Sequence, residues 1–232
     1  MDVLTDDHER EQVVRKWWSE YWKPIAIGVV IALGGLLGYR QYQSYQLEQS
    51  QAQAYALYQL QAKLAMNNST AQADAEGFIK EHEDIYGALL ALDLSAVQMT
   101  HGDYDKALAN VRFAATHGGD LVAPNASLVQ ARILAQTEKY AEAQNILNSI
   151  DSNAYAIEIA ETSGDIYLAS GDKQKAHDAY KRALDLCVER KTPINPLLQM
   201  KFDDVIAQGD TPAFKTATEH NNQLIAEGVQ LH

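Results

Sequence analysis

The sequence predicts an all-α protein in which one membrane-spanning helix is followed by a solenoid of stacked helical hairpins. Three observations carry this: an uncharged run from Pro24 to Tyr39, three look-alike turns whose closing alanines stand 36 and 33 residues apart, and no alternating strand pattern bounded by hairpin turns. The 232 residues, 47% apolar and 22% charged, fall in the ordinary globular range, which argues against disorder throughout. One cysteine excludes an internal disulfide, so the fold rests on packing. Nineteen Lys and Arg against 31 Asp and Glu give a net charge of −12, and residues 41–232 hold 14 of those bases and 25 of the acids. Such a field repels phosphate backbones and no basic patch overrides it, so no nucleic-acid partner is expected.

Residues 1–23 form a polar stub, and 24–42 the transmembrane helix. The run Pro24 to Tyr39 alone spans only about 24 Å against a hydrocarbon core of roughly 30 Å. Its flanks complete it. Trp17, Trp18, Tyr21 and Trp22 on one side and Tyr39, Tyr42 and Tyr45 on the other supply the two interfacial belts, and Lys23 can snorkel to the headgroups. A buried soluble helix would leave both belts unexplained. Arg10, Arg15, Lys16 and Lys23 precede the span while only Arg40 follows it closely, so the positive-inside bias puts the N-terminus in the cytoplasm and exports the rest. Ala52-Gln53-Ala54 offers a small-x-small cleavage site, but it lies too far downstream of a leader that starts acidic, which favours an uncleaved anchor. Gly34 and Gly38 are the packing positions of the span, through which a homodimer could form.

Residues 41–66 continue the membrane helix, with Tyr55, Leu57, Tyr58, Leu60, Ala62 and Leu64 as a broad apolar face. Asn67 to Thr70 break it and cap a helix over 71–82, whose apolar face is Ala75, Phe78 and Ile79. The repeats follow. Gly102-Asp-Tyr-Asp-Lys-Ala107, Glu138-Lys-Tyr-Ala-Glu-Ala143 and Gly171-Asp-Lys-Gln-Lys-Ala176 share a period near 34 residues, the tetratricopeptide length. Gly102 and Gly171 suit a left-handed helix end, Asp103 and Asp172 can cap the next helix, and the alanines sit where paired helices come closest. Gly164, Tyr167, Tyr180 and Ala183 complete the pattern in the third unit; the first keeps Leu94 and Ala114 but places Ser95 and Gln98 at its small and aromatic positions; the second keeps Ala131 and Leu134. This periodic domain covers 43–208. Residues 209–232 form an extension in which Thr211-Pro212 starts a capping helix with Phe214, Ala217 and Leu224 as its apolar side.

The inventory of chemistry is empty. The seven histidines form no zinc-protease pair, no nucleophile elbow or phosphate loop occurs, and Cys187 reads as a packing residue, so no enzyme activity, cofactor or metal is expected. Asn68-Ser-Thr and Asn125-Ala-Ser match glycosylation sequons, relevant only in a eukaryotic secretory host. Binding remains. The register places Leu89, Leu92, Ala96 and Met99 at an apolar end of a concave, protein-binding groove, Leu128, Arg132 and Gln136 in its middle, and Glu161, Asp165 and Leu168 at an acidic end. The helix over 71–82 could equally cover Leu89 and Leu92. The Lys/Asn clamp with which tetratricopeptide co-chaperones hold acidic C-termini is missing.

The stub with its basic-aromatic segment, the span ending Gly38-Tyr39-Arg40, Tyr86-Gly-Ala-Leu-Leu-Ala-Leu-Asp-Leu94, Ser170-Gly-Asp-Lys-Gln-Lys-Ala176 and Gln199-Met-Lys201 together resemble the YfgM family, ancillary subunits of the bacterial SecYEG translocon. The resemblance covers about residues 1–205. It implies a single-pass inner-membrane protein with a periplasmic tetratricopeptide-like domain, the translocon and the periplasmic chaperone PpiD as partners, exported polypeptides as clients, and a cytoplasmic regulator acting through the stub. No catalytic residues transfer. The function expected is a membrane-anchored adaptor that passes exported chains to periplasmic chaperones; the alternative is a homo-oligomeric envelope scaffold unrelated to secretion.

Overall fold

The structure, a computed structural model, describes residues 3–66, 70–205 and 213–228, without the side chains of residues 3–10, 12, 13 and 213. No strand occurs among the described residues. The helices are α1 (Val3–Ala65), α2 (Ala71–Glu81), α3 (Ile85–Thr100), α4 (Tyr104–His117), α5 (Gly119–Gln136), α6 (Tyr140–Ser149), α7 (Ala156–Ala169), α8 (Lys173–Glu189), α9 (Pro196–Asp203) and α10 (Ala213–Ala226), with a 3-10 turn at Asn153–Tyr155. Two compact units divide them, Met1–Tyr55 and Ala56–His232.

The described residues of the first unit all lie within α1. α1 is the one helix among the described residues long and apolar enough to cross a membrane, and no residue of its most apolar window is buried. Beyond the span, the Gln43 amide donates to the Tyr39 hydroxyl (2.9 Å) and the Gln46 amide to that of Tyr42 (2.7 Å), one helical turn apart in each case.

In the second unit the last turns of α1 bury Leu57 and Leu64, seven residues apart on one face. Tyr55 and Tyr58, expected on that face, are instead exposed, Tyr58 at 67%. Only one narrow stripe of α1 meets a neighbour here, and the tyrosines fall outside it. The Gln61 amide donates to Asp93 of α3 (2.6 Å) and Lys63 pairs with Asp74 of α2 (2.9 Å). Asn67, Asn68 and Ser69 of the expected turn lie outside the described residues. Thr70 precedes α2 without a side-chain cap, and Ala75, Phe78 and Ile79 are buried as their spacing predicts. Asp84, by contrast, caps α3, its Oδ1 accepting from the backbone N–H of Tyr86 (2.9 Å) and Gly87 (3.2 Å).

Three hairpins follow: α3 with α4, α5 with α6, and α7 with α8. Each closes through the same turn. Gly102, Glu138 and Gly171 adopt φ of 78°, 61° and 87°. Each donates its N–H to a carbonyl three residues back, and its successor donates to one five residues back: Asp103 to Gln98 (2.9 Å), Lys139 to Leu134 (2.8 Å) and Asp172 to Tyr167 (2.9 Å). Asp172 Oδ1 accepts from Lys175 N (3.1 Å). Asp103 makes no such cap; its carboxylate lies 4.0 Å from Lys106 Nζ. Ala107, Ala143 and Ala176 are fully buried at the close approach.

The small positions match the bulk opposite them. Gly164 of α7 abuts the Tyr180 ring of α8, and a Cβ built on it would stand 2.5 Å from that ring. The equivalent pairs are Ala131 with Leu147 and Ser95 with Val111, all buried. Gln98, at an aromatic position, is buried too and accepts from the Asn110 amide (2.8 Å), a polar link between α3 and α4.

After α8, Lys191 (φ 53°) repeats the turn, with Thr192 N donating to Cys187 O (2.9 Å). Asn195 caps α9 by accepting from Leu197 N (2.9 Å), and Pro196 takes its first position. A second core gathers Tyr180, Ala183, Cys187, Ile194, Leu198, Phe202 and Ala217. α10 packs on α9 and buries Ala217 and Leu224. Phe214, expected beside them, is 49% exposed; Thr211 and Pro212 lie outside the described residues. Asn221 Oδ1 accepts from Ile194 N (3.1 Å), and a ring nitrogen of His220 bonds Thr192 O (3.0 Å).

Candidate functional site

The first helices of the hairpins stand side by side: α3 touches α5, and α5 touches α7. The second helices make no comparable contact, so α3, α5 and α7 form the inner row of the array. Its face is the candidate site.

The ten residues expected there divide into four groups, the last of them the pair Glu161 and Asp165. Ala96, Arg132, Gln136 and Leu168 are exposed. Leu89, Leu92 and Met99 are half-buried and packed against the main core. Leu128 is 2% exposed and belongs to that core, so it is withdrawn from the groove. α5 lies between α3 and α7 in the inner row, and neighbours on both sides remove Leu128 from solvent.

Glu161 and Asp165 do not form an open acidic end. Lys201 of α9 reaches both, 2.7 Å to Glu161 Oε1 and 2.8 Å to Asp165 Oδ2, while the Tyr180 hydroxyl donates to Asp165 Oδ1 (2.8 Å). Burial works against the charged Lys201 ammonium, yet its hydrogen bonds to Asp165 and Glu161 and the attraction of both carboxylates outweigh it and raise its pKa. Burial, then the bond to Asp165, pushes the Tyr180 phenol far above its ordinary range. The acidic pair is therefore a strut between α7, α8 and α9. Lys201 carries no sign of this role in its own neighbourhood; only the 36- and 40-residue separations from its partners, invisible to local pattern, make it one.

Arg132, by contrast, donates from one guanidinium nitrogen to Thr162 Oγ1 of α7 (3.1 Å) and has no carboxylate partner among the described residues. Toward α1, a recess of about 320 Å³ opens between the ends of α1 and α3, lined by Leu64, Ala65, Ala96, Val97, Thr100 and His101. Among the described residues no group of three His, Cys, Asp or Glu side chains could hold a metal. Cys187 is buried, and burial first, then the charges of Glu158 and Glu161, push its thiol up to about 11, which suits packing and not nucleophilic chemistry. Gly34 and Gly38 are open, with nothing within 4 Å of a Cβ added at either.

Residues 15–207 match the family described as a tetratricopeptide repeat-like domain. The ancillary SecYEG translocon subunit of Escherichia coli strain K12 is 26% identical over 208 residues, covering 88% of this chain and 99% of that one. That of Haemophilus influenzae is 31% identical over 188 residues, covering 79% and 91%. Among solved structures, Pseudomonas aeruginosa PilF superposes with a TM-score of 0.54 over 79% of each chain at 16% identity, a likeness of fold. With its repeat register, its apolar N-terminal helix and these relatives, the chain belongs to the family of the ancillary SecYEG translocon subunits, built on a tetratricopeptide repeat-like domain.

Proposed function

We propose that this chain is a non-catalytic, membrane-anchored adaptor of the SecYEG translocon, with its stub in the cytoplasm and its repeats in the periplasm, passing exported polypeptides to periplasmic chaperones such as PpiD. The observation that carries the reading is the coincidence in one chain of an apolar N-terminal span and the repeat array of relatives named as translocon subunits. Four bases before the span against one close behind it support the orientation. The span tethers the chain to the membrane, where an emerging polypeptide is still extended. The inner face offers such a chain half-buried apolar side chains, and Lys201 neutralises carboxylates that would otherwise cost desolvation on contact. Contacts of this modest size release a client readily, as a transfer step requires.

Two measurements test it. In mild detergent the full-length chain co-purifies with translocon subunits, and in spheroplasts added protease digests the repeats. Purification free of translocon subunits, or repeats shielded from protease, overturns the proposal. The scaffold alternative expects Gly38→Leu to disperse a native complex while leaving translocon co-purification intact.

A further inference from the structure

The inner face carries two features that the adaptor reading leaves unassigned, and the repeat register relates them. Ala96, Arg132 and Asp165 each stand 11 residues before their closing alanine, so they occupy one level on three neighbouring helices. At that level α7 is closed, because Asp165 is held by Lys201 and Tyr180. α5 presents Arg132, whose guanidinium is anchored through one nitrogen to Thr162 and pairs with no carboxylate among the described residues. α3 presents Ala96 on the lip of the apolar recess that Leu64 and Ala65 complete.

We propose that this face reads a two-point signature in an extended polypeptide: one apolar side chain in the recess beside Ala96, and one Asp or Glu side chain on Arg132. The inference rests on the adaptor reading and supplies its ligand chemistry. Neighbouring packed helices lie about 8–10 Å apart, and a chain in the extended polyproline II form advances about 3.1 Å per residue with three residues per turn, so side chains three residues apart share a face and the carboxylate sits three residues from the apolar side chain. A guanidinium held at one nitrogen keeps further N–H donors in a fixed fork, the geometry that grips a carboxylate with two hydrogen bonds. The anchor to Thr162 lowers the ordering cost of that grip. The recess is apolar along Leu64, Ala65, Ala96 and Val97, with room for one branched aliphatic or aromatic side chain. A C-terminal carboxylate needs no such spacing, and the recess lies to one side of Arg132 within a continuing face, so the signature belongs to the interior of a passing chain.

The test uses the full-length protein in lipid nanodiscs and fluorescent peptides of extended sequence with blocked ends, so that the Asp side chain is their sole carboxylate. A Leu-x-x-Asp peptide binds about tenfold more tightly than its Leu-x-x-Asn counterpart. Arg132→Gln abolishes that difference; Ala96→Leu, which fills the recess, weakens both peptides equally; moving Asp next to Leu removes the preference; and added salt shrinks it. Equal binding of the Asp and Asn peptides by the unaltered protein, or a preference that survives Arg132→Gln in a protein of unchanged circular dichroism, overturns the inference. A photo-crosslinker at Gln136 separates this from the reading beneath it. Exported chains trapped there without any Asp preference sink the signature alone, whereas no trapped chain and no peptide binding sink both.

Discussion

At the Gly164–Tyr180 contact the second core tolerates no added atom. A Cβ at 164 would meet the ring at 2.5 Å, against buried neighbours that cannot recede. Gly164→Ala therefore destabilises the protein by about 1–3 kcal/mol through overpacking, read as a lower midpoint in thermal unfolding followed by circular dichroism. Adding Tyr180→Leu, which reproduces the Ala131–Leu147 pair of the preceding hairpin, recovers part of the loss, though not the share owed to the Tyr180–Asp165 bond. A second residue test concerns Lys201. Lys201→Met strands Glu161 and Asp165 without their cation and costs roughly 1–3 kcal/mol at this partly exposed site. Converting both carboxylates to amides in the same background restores most of it. No change in the denaturant midpoint of Lys201→Met would show that the strut contributes nothing.

Among the elements, the turns and the C-terminal core make separate predictions. Glu138 holds the left-handed position that glycine fills at 102 and 171. A non-glycine residue there costs roughly 1–2 kcal/mol, so Glu138→Gly stabilises the fold by up to about 1 kcal/mol once the entropy glycine adds to the unfolded chain is deducted, read as a higher unfolding midpoint. The core that joins α8, α9 and α10 responds to alkali. Cys187, Tyr180 and Lys201 all have folded pKa values raised above their ordinary 9.0, 10.0 and 10.5. A raised folded value gives a contribution that is whole below the ordinary value and is lost as pH rises through the folded one, because the unfolded chain releases its protons first. Stability therefore holds to about pH 9 and falls above it, and Lys201→Met flattens the part of the fall above about pH 10.5. An alkaline profile unchanged by that substitution contradicts the assignment. The turn chemistry was open to reading in the sequence, since Gly-Asp before a polar helix start is a local signal, and the buried alanines followed from it. The strut was not, because Lys201 reaches Glu161 and Asp165 only once α9 has packed on α8. The tyrosines of α1 misled for the opposite reason: helical spacing marks which residues share a face, while the neighbour that would bury that face is a tertiary matter.

For the whole molecule, the anchor and the array answer to different physics. The span rests on composition, an uncharged run with aromatic belts, and needs no partner helix to be recognised. The array rests on periodicity, and the order of its helices follows the register of the closing alanines. What the register could not supply was accessibility. It placed Leu128 and Arg132 on the same helix face, yet packing buries the first and leaves the second exposed. The candidate site is therefore a narrower surface than the sequence outlines, a recess and a cation in place of a groove with an acidic end. In intact cells, a photo-crosslinker incorporated at Gln136 on the inner face and, as control, at Lys181 on α8 tests the central claim most directly. Adducts with exported polypeptides or translocon subunits from position 136 and not from 181 are the predicted result. Equal labelling from both positions, or none from 136 in a protein that is present and membrane-bound, contradicts it.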